Sequence, residues 1–299
     1  MRTVSSDRVF YAFSPDLEPV IRVKEGEEFT LLTQDCFANQ ITREDQYMDG
    51  LDWDHINPAT GPVYVEGVSA GDLIRIDIMA IEAADQAVVC ACPNEGTLGE
   101  YLTENETVIL NNEGEFINFK NKVRIPIKPM IGVIGVAPAT GSVPNGTPGD
   151  HGGNMDCSLI GANSTLYLKA NVDGGLLGVG DLHTVMGDGE IIATGAETAG
   201  AVRLKVERFS APQLPVPFLE TEELAVTIAS ADTLDAAAKM ATERMADFLT
   251  KECGLELNDA GMLMGLVGSV NICQMVDPLV TVRFEFPKWA IVSYRGKTA

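Results

Sequence analysis

Leu73 to Ala80, which reads LIRIDIMA, decides the fold class of this chain. Its isoleucines occupy every second position with charged residues between them, and a period of two is typical of a half-buried β-strand. The segment from Val202 to Glu207, VRLKVE, alternates in the same way. Clusters of Gly, Pro, Asn and Asp, which favour turns, lie between segments of this kind. Many short strands joined by such turns predict a β-sandwich or barrel in the first two-thirds of the chain.

The last third of the sequence has a helix-containing pattern. Asp232 and Thr233 can cap a helix that we expect to run to about Glu252, because its apolar residues recur every three to four positions. A short helix over 258–266 and a closing strand over 280–286 are expected to follow.

These patterns together predict an α+β fold that is mainly β. A β-rich, sandwich-like or barrel-like domain over 1–205 carries the functional motifs, and an α+β part over 206–299 packs on it. Near the N-terminus, Val20–Val23 and Phe29–Thr33 flank a charged segment with a glycine, so we expect them to form a hairpin.

The composition excludes several classes of partner. The 299 residues carry a formal net charge of −22 and give a sequence pI of about 4.4. A surface this acidic repels phosphate backbones and anionic lipids, so neither nucleic acid nor a membrane is expected as a partner. No segment reaches the ~18 apolar residues of a membrane span, and the N-terminus lacks the apolar core of a signal peptide. Six cysteines without the spacing of a disulfide scaffold indicate a reduced, cytoplasmic protein.

Two of the three histidines lie in short segments rich in glycine and carboxylates. His151 lies in GDHGGNMDC, residues 149–157, and His183 lies in GDLHTVMGDGE, residues 180–190. Imidazole nitrogens and carboxylate oxygens are the usual protein ligands of divalent metals, and glycines let the backbone come close to an ion. The two segments therefore predict a metal site in which His151 and His183 share one ion.

The spacing within the second segment indicates which side chains face the same way. Asp181 and His183 are two residues apart, so on a strand both point to one face. If Asp188 and Gly189 close a two-residue hairpin, Glu190 lies on that face too, but about 13 Å away along the strand unless the chain curls. Glu190 is therefore predicted to be a general base or a substrate contact more than a metal ligand.

Asp156 and Asp35 complete the predicted ligands. Asp156 lies in the same glycine-rich loop as His151, and Asp35 follows an apolar run where a loop begins. The sequence leaves open whether Asp156 and Asp181 bind the ion or orient the histidines, and whether Asp35 is a ligand or a turn aspartate. The predicted metal ligands are Asp35, His151, Asp156, Asp181 and His183, and the predicted catalytic residues are Glu190 and Asp181.

Several segments of the chain resemble the acetamidase/formamidase family. They are GSVP at 141–144 with the loop that follows it to Asp156, GDLHTVMGDGE at 180–190, NPATGPVYVEG at 57–67 and QDCF at 34–37. The resemblance implies hydrolysis of small aliphatic amides to a carboxylate and ammonia by a homodimer or larger homo-oligomer. Asn154 and Glu66, which are polar residues inside the matching segments, are assigned to substrate binding.

A divalent metal is the predicted activator because the motifs of other amidase mechanisms are missing or lie in the wrong context. A Gly-x-Ser-x-Gly pattern occurs at residues 67–71, but it precedes the predicted strand Leu73–Ala80, whereas a nucleophile elbow opens a helix. The glycine- and serine-rich signature of Ser-Ser-Lys amidases is absent. A divalent ion, predicted to be Zn²⁺, lowers the pKa of water and polarises an amide carbonyl, while a carboxylate such as Glu190 moves the proton. An additional Ca²⁺ is left open.

Two alternatives remain at this point. Cys157 directly follows Asp156 and could be the nucleophile of a cysteine-dependent amidase, although acidic neighbours are expected to raise the pKa of its thiol. A non-catalytic β-rich protein could also bind an ion such as Ca²⁺ for structure alone.

The Val- and Phe-rich closing strand is expected to offer an edge or an apolar face to a second copy of the chain.

Overall fold

The computed structural model describes residues 2–211 and 214–296, and it confirms an α+β fold that is mainly β. Two nine-stranded sheets and two two-stranded sheets contain the strands of these residues. In chain order the strands are β1 (Arg2–Val4), β2 (Val9–Phe10), β3 (Ala12–Phe13), β4 (Ile21–Lys24), β5 (Glu28–Thr33), β6 (Ala59–Glu66), β7 (Leu73–Ala83), β8 (Gln86–Ala91), β9 (Glu106–Asn111), β10 (Phe116–Phe119), β11 (Val123–Pro126), β12 (Met130–Gly135), β13 (Val143–Pro144), β14 (Gly152–Asn154), β15 (Thr165–Lys169), β16 (Leu177–His183), β17 (Glu197–Thr198), β18 (Gly200–Phe209), β19 (Phe218–Glu220), β20 (Leu224–Ala231), β21 (Ser269–Gln274) and β22 (Val280–Pro287).

The two large sheets differ in how their strands connect. The first has the order β1-β5-β18-β7-β15-β19-β20-β22-β21 and is antiparallel except where β1 pairs with β5. The second has the order β14-β12-β16-β17-β8-β9, and β6 joins it by pairing with β16, β2 and β4. Strands from distant parts of the chain are therefore neighbours in both sheets, and the second sheet carries the histidine segments.

The apolar faces of the two sheets supply one continuous core. In β7 the buried side chains include Ile74, Ile76 and Ile78, as the alternation predicted. Leu177 and Val179 of β16 belong to the same cluster. Because fully burying an aliphatic side chain of this size stabilises a fold by about 1.5–3 kcal/mol, this shared core holds the two sheets together.

Helices cover the C-terminal half of the first sheet. Helix α1 begins where the Thr233 side chain accepts a hydrogen bond from Ala236 N at 3.2 Å, and Gly254, with φ +75°, follows its π-helical last turn. Apolar residues of the helices form a second core with Phe218 and Phe286. The helices are α1 (Leu234–Asp247), continued by the π-helical turn Phe248–Glu252, α2 (Leu257–Val267) and α3 (Lys288–Gly296), and short 3-10 helices lie at Met48–Gly50, Trp53–His55 and Gly99–Tyr101.

No helix within the described residues combines the length and the apolar character needed to cross a bilayer.

The predicted N-terminal hairpin is wrong. β4 pairs in parallel with β6 in the second sheet, whereas β5 pairs with β1 and β18 in the first. Gly26, with φ +75°, lies in the turn between them, and its N–H donates to Val206 O. The turn therefore carries the chain from the second sheet to the first. Which sheet each strand joins depends on partner strands that are distant in sequence.

The C-terminal segment continues a sheet that the β-rich segment begins. The predicted boundary between residues 205 and 206 falls inside β18, and β15 pairs with β19 across it. β22 is an interior strand between β20 and β21, so it has no free edge. Val282, Phe284 and Phe286 are buried, and this corrects the expectation that the closing strand faces a second copy.

Candidate active site

The candidate site lies at the end of β16, where the second sheet meets two loops. His183 is the last residue of β16 and is paired with Met130 of β12 on one side and Glu197 of β17 on the other. Asp181 precedes it by two positions on the same strand, which is the same-face arrangement that the spacing predicted. Asp156 comes from the loop that follows β14, and Glu190 from the loop that follows β16.

Three carboxylates surround the Nε2 atom of His183. It lies 3.1 Å from Glu197 Oε2, 3.3 Å from Asp181 Oδ1 and 3.9 Å from Asp156 Oδ1. The side chains are withdrawn from solvent, since His183 and Asp156 are 0% exposed and Glu197 is 1% exposed. A buried charge is costly unless it is paired, so carboxylates in this arrangement either take up a proton or pair with a cation.

The pKa values of the site follow from burial and from this crowding of charge. Burial alone would lower the pKa of His183, but the carboxylates of Glu197 and Asp181 outweigh it and hold that pKa well above its usual value. Burial raises the pKa of Glu197 to about 7. Burial and neighbouring carboxylates raise the pKa of Asp156 well above its usual value, and burial does the same to Glu190. Each carboxyl group therefore gains strongly from a positive charge placed beside it.

Three of the site carboxylates are on residues with strained backbones. Asp156, Asp181 and Glu190 have φ values of +45°, +51° and +47°, a region that side-chain-bearing residues rarely adopt. Such conformations cost of order 1–3 kcal/mol each and cluster at functional sites. In this chain all three strained residues place a carboxylate near His183.

Glycine at position 132 is required by the approach of two of these carboxylates. A Cβ atom there would lie 2.4 Å from Asp156 Oδ1 and 2.6 Å from Asp181 Oδ2. Gly195 has the same relation to the imidazole, since its Cβ would lie 2.7 Å from His183 Nδ1. The backbone itself thus makes room for the cluster.

We expect Gly132→Ala to empty the site while the fold survives. The added methyl must displace the Asp156 and Asp181 carboxylates, which are packed too tightly to move freely. Zinc content by elemental analysis should fall, whereas circular dichroism should stay that of the wild type. Gly187→Ala is the matched control, because a Cβ there would meet no atom within 4 Å. Equal zinc content in Gly132→Ala and Gly187→Ala would contradict this account.

The arrangement fits a divalent metal ion. Ligand atoms of Asp156, His183 and Glu190 lie within 4.8 Å of one another, and so do those of Cys36, Asp181 and Glu197. Three buried atoms of the site have no hydrogen-bond partner within residues 2–211 and 214–296. They are both carboxylate oxygens of Asp156 and the Nδ1 atom of His183. Buried polar atoms are normally paired, so these atoms indicate an interaction that the chain does not itself supply.

Glu190 reaches the site by a different path from the predicted hairpin. β16 ends at His183, and its next neighbour in the sheet is β17, not a strand that begins at Glu190. Glu190 N donates to Gly187 O at 3.2 Å, so the chain curls back at this point. This curl removes the 13 Å separation expected for a regular strand and brings Glu190 within ligand distance of Asp156 and His183.

His151 lies apart from the cluster, so the structure does not bring the two histidines together. Gly152, the next residue, pairs with Gly135 of β12, whereas His183 pairs with Met130. Gly135 and Met130 are five positions apart on β12, and this corresponds to about 16 Å between their Cα atoms. The His151 ring packs edge-on against Phe13 at 5.3 Å between centroids, and burial lowers its pKa to about 4.

The remaining predicted residues divide between the site and the surface. Asp35 is buried, accepts from Asn39 N at 2.7 Å as a turn aspartate does, and has its pKa raised to about 6 by burial. Asp35 lies close enough to Asp181 to feel its charge. Asn154 is buried near the cluster, with Nδ2 donating to Asp277 Oδ2 at 2.9 Å. Ala59, at one end of β6, pairs with Gly180 near the cluster. Glu66 is exposed at the opposite end of β6 and does not reach the cluster.

Sequence reasoning missed three residues near the cluster: Cys36, Glu197 and Asp277. Glu197 stands alone among small residues in ATGAETAGA, residues 193–201, and this isolation is the only signal that it carries. Asp277 belongs to the β21–β22 turn, and burial with the charge of Asp181 raises its pKa to about 8. Cys36 enters only because its loop folds toward Asp181 and Glu197. None of the three has a local pattern that identifies it.

The thiols behave differently from the expectation for Cys157. A hydrogen bond with Cys273 and the charge of Arg283 lower the pKa of Cys157, although burial opposes this. The prediction that the pKa of Cys157 is raised is therefore wrong. Arg283 lies on a strand that is distant in sequence, so its charge could not be anticipated from the neighbours of Cys157. Burial raises the pKa of Cys36 well above its usual value. Cys157 is fully buried in the core between the sheets.

Comparisons with known proteins agree with this fold. The sequence model of the Acetamidase/Formamidase family matches residues 3–145 and 139–283. An acetamidase structure from Bacillus halodurans is 42% identical, with 99% of each chain covered and a TM-score of 0.95. A predicted acetamidase/formamidase from Thermoanaerobacter tengcongensis is also 42% identical, with 98% of this chain and 97% of that one covered and a TM-score of 0.94.

Curated relatives are more distant. The formamidase of Methylophilus methylotrophus is 27% identical over an alignment of 251 residues, and the match covers 64% of this chain and 62% of the relative. The chain spans 62–64% of the length of the curated relatives that it matches.

Proposed function

The chain belongs to the acetamidase/formamidase family, and we propose that it hydrolyses short aliphatic amides such as formamide or acetamide to a carboxylate and ammonia. The observation that carries this proposal is the enclosed cluster of one histidine and several carboxylates. His183 is 0%, Asp181 3% and Glu190 7% exposed, and such restricted access favours a small substrate. The names of the similar proteins, acetamidase and formamidase, support the same substrate class.

Zn²⁺ is the proposed ion; Asp156 and His183 would hold it, and Glu190 lies close enough to be either a further ligand or the base. Bound among these residues, it would lower the pKa of water and polarise the amide carbonyl. The second group, Cys36, Asp181 and Glu197, includes a thiol, and such a ligand suits Zn²⁺ better than Ca²⁺. The additional Ca²⁺ ion would need oxygen ligands alone.

Glu190 and Asp181 are the proposed catalytic residues. With its pKa raised by burial, Glu190 can accept the proton of the attacking water and deliver it to the leaving nitrogen. Asp181 Oδ1 lies 3.3 Å from His183 Nε2 and keeps the ring oriented. The zinc content and the activity of Glu190→Gln decide whether Glu190 acts as the base or as a ligand.

Asn154 is the proposed substrate contact. Its Nδ2 is used by Asp277, while its Oδ1 is buried without a hydrogen-bond partner in the described part of the chain. A free amide oxygen at this place can accept an N–H from a primary amide. Because Glu66 is exposed and distant, we do not retain it as a substrate contact.

Ammonia release tests the proposed function. Purified protein loaded with Zn²⁺ should release ammonia from formamide or acetamide, and a chelator should stop the release. Protein that contains zinc but releases no ammonia from any short amide would refute the amidase proposal. It would favour the alternative of a non-catalytic, metal-binding β-rich protein.

The cysteine-dependent alternative has one observation in its favour. The lowered pKa of Cys157 suits a nucleophile, but its side chain is fully buried against Cys273 and Arg283. A nucleophile must reach the substrate carbonyl, and this burial opposes it. We therefore rank the cysteine mechanism below the metal mechanism.

We also propose that the protein is a homodimer or larger homo-oligomer. Several apolar side chains remain exposed on the outer helices, and such a surface is typical of an interface. Light scattering at micromolar concentration should give a multiple of the 32.0 kDa chain mass, and a value of 32.0 kDa would contradict association. The exposed side chains are Leu257, Met262 and Leu266 of α2 and Trp289 and Val292 of α3.

The remaining parts of the proposal concern location and partners. The net charge of −22 opposes binding to nucleic acid or anionic membranes. All six cysteines lie in the described residues, where none of them forms a disulfide, and this suits the reducing cytoplasm.

A further inference from the structure

Asp188 connects the C-terminal sheet to the candidate site. Arg283 of β22 donates to it twice, from Nη1 to Oδ1 at 2.8 Å and from Nη2 to Oδ2 at 2.6 Å. A forked pair of this kind fixes both the distance and the orientation of the two groups. Arg283 is itself buried, at 4% exposure, and Glu285 Oε1 accepts from its Nε at 2.7 Å.

The same carboxylate holds both loops that supply the candidate site. Ser158, two residues after Asp156, donates its hydroxyl to Asp188 Oδ1 at 2.7 Å. Asp188 itself lies two residues before Glu190. One carboxylate therefore ties the Asp156 loop and the Glu190 loop to each other and to Arg283.

Backbone hydrogen bonds attach the second loop to β21 at the same place. Gly189 N donates to Cys273 O at 2.9 Å, and Met275 N donates to Gly189 O at 3.3 Å. Gly189 and Gln274 form an isolated parallel bridge. The strained backbone of Glu190 begins directly after these contacts, and strain of this kind persists only where the surroundings over-determine it.

We propose that Asp188 and Arg283 are a positioning pair that holds Asp156 and Glu190 in their places around the candidate site. Neither residue belongs to the groups of ligand atoms, so they act through the loops that they join. The consequence for catalysis rests on the proposed amidase function, whereas the effect on the loops does not. The C-terminal part is in this way needed to form the site.

Asp188→Asn tests the pair, with Ser158→Ala as a second, milder variant. The amide keeps the size of the side chain but places an N–H donor where Arg283 also donates, and this breaks the fork. Asp77→Asn is the matched control, because Asp77 also accepts from an arginine and a hydroxyl, Arg75 Nε at 2.9 Å and Thr165 Oγ1 at 2.8 Å. Asp77 lies on β7 of the first sheet, away from the cluster.

Three measurements separate positioning from general stability. Hydrogen exchange in the peptide that spans 186–193 should accelerate in Asp188→Asn but not in Asp77→Asn. Zinc affinity should fall roughly 10–100-fold, the usual effect of losing a group that orients metal ligands. With formamide, kcat should fall on the order of 10²-fold, with less change in KM, because misplaced catalytic groups lower the rate of the chemical step.

The outcomes distinguish this proposal from the proposed function. If the wild-type protein releases no ammonia, the amidase proposal fails, but hydrogen exchange and zinc affinity still test the pair. If Asp188→Asn matches Asp77→Asn in the exchange of 186–193 and in zinc affinity, the positioning pair is refuted. If Asp188→Asn loses overall stability, Ser158→Ala decides, since it removes one hydroxyl and should show the same changes to a lesser degree.

Discussion

Glu190→Gln is expected to retain zinc and fold but to lose most of its ammonia release. Removing a general base typically lowers the rate ~10²–10⁴-fold, because the proton of the attacking water then has no acceptor. Glutamine keeps the length of the side chain and one oxygen that can still face the ion. Steady-state kinetics with formamide and elemental analysis of the same sample measure both effects.

The result also decides between the two roles of Glu190. If zinc is lost together with activity, Glu190 is chiefly a ligand, and the base must be sought among the neighbouring carboxylates. If Glu190→Gln keeps full activity while Cys157→Ser has none, the cysteine-dependent mechanism replaces the metal mechanism. Cys273→Ser is the matched control for Cys157→Ser, since both thiols are fully buried and lie in hydrogen-bond contact.

The strands of this fold could be predicted from sequence because their signal is local. The alternation in Leu73–Ala80 appears as the fully buried isoleucines of β7, and Val202, Leu204 and Val206 are likewise buried in β18. The pairing partners of a strand could not be predicted from such a local signal. β4 and β5 are adjacent in the chain, yet they belong to different sheets, because pairing depends on strands that lie far away in sequence.

The candidate site was predictable only where its residues share a segment. Asp181 and His183 face one another because two positions on a strand share a face. Glu197 and Asp277 come from other segments with no histidine or glycine motif, and only the folded chain brings them close. The curl after Gly187, which returns Glu190 to the cluster, depends on contacts of Asp188 and Gly189 with strands near residues 273 and 283.

Similar local motifs can also belong to unrelated places in the fold. His151 and His183 have nearly identical acidic, glycine-rich surroundings in sequence. In the structure burial lowers the pKa of His151 to about 4, and Asp150 is the carboxylate that opposes this. The carboxylates of Glu197 and Asp181 outweigh burial and raise the pKa of His183. The two histidines therefore have different electrostatic surroundings in the fold.

His183→Ala is expected to abolish zinc binding and ammonia release, while His151→Ala keeps both. Removing His183 takes away the one nitrogen ligand of its group, so zinc affinity should fall by more than the 10–100-fold typical of losing an orienting group. His183→Gln is a second variant that fills the space and separates loss of the ligand from a cavity effect. Zinc titration followed by calorimetry measures the affinity of all three proteins.

The contrast between the two histidines is the sharpest test of the site. His151→Ala removes an aromatic contact with Phe13 and should lower the melting temperature without changing zinc stoichiometry. If both alanine variants lose zinc equally, the ion lies between the two histidines and the site is not the cluster around His183. If neither variant loses zinc, the ligands are carboxylates and thiols alone, and the group of Cys36, Asp181 and Glu197 becomes the candidate centre.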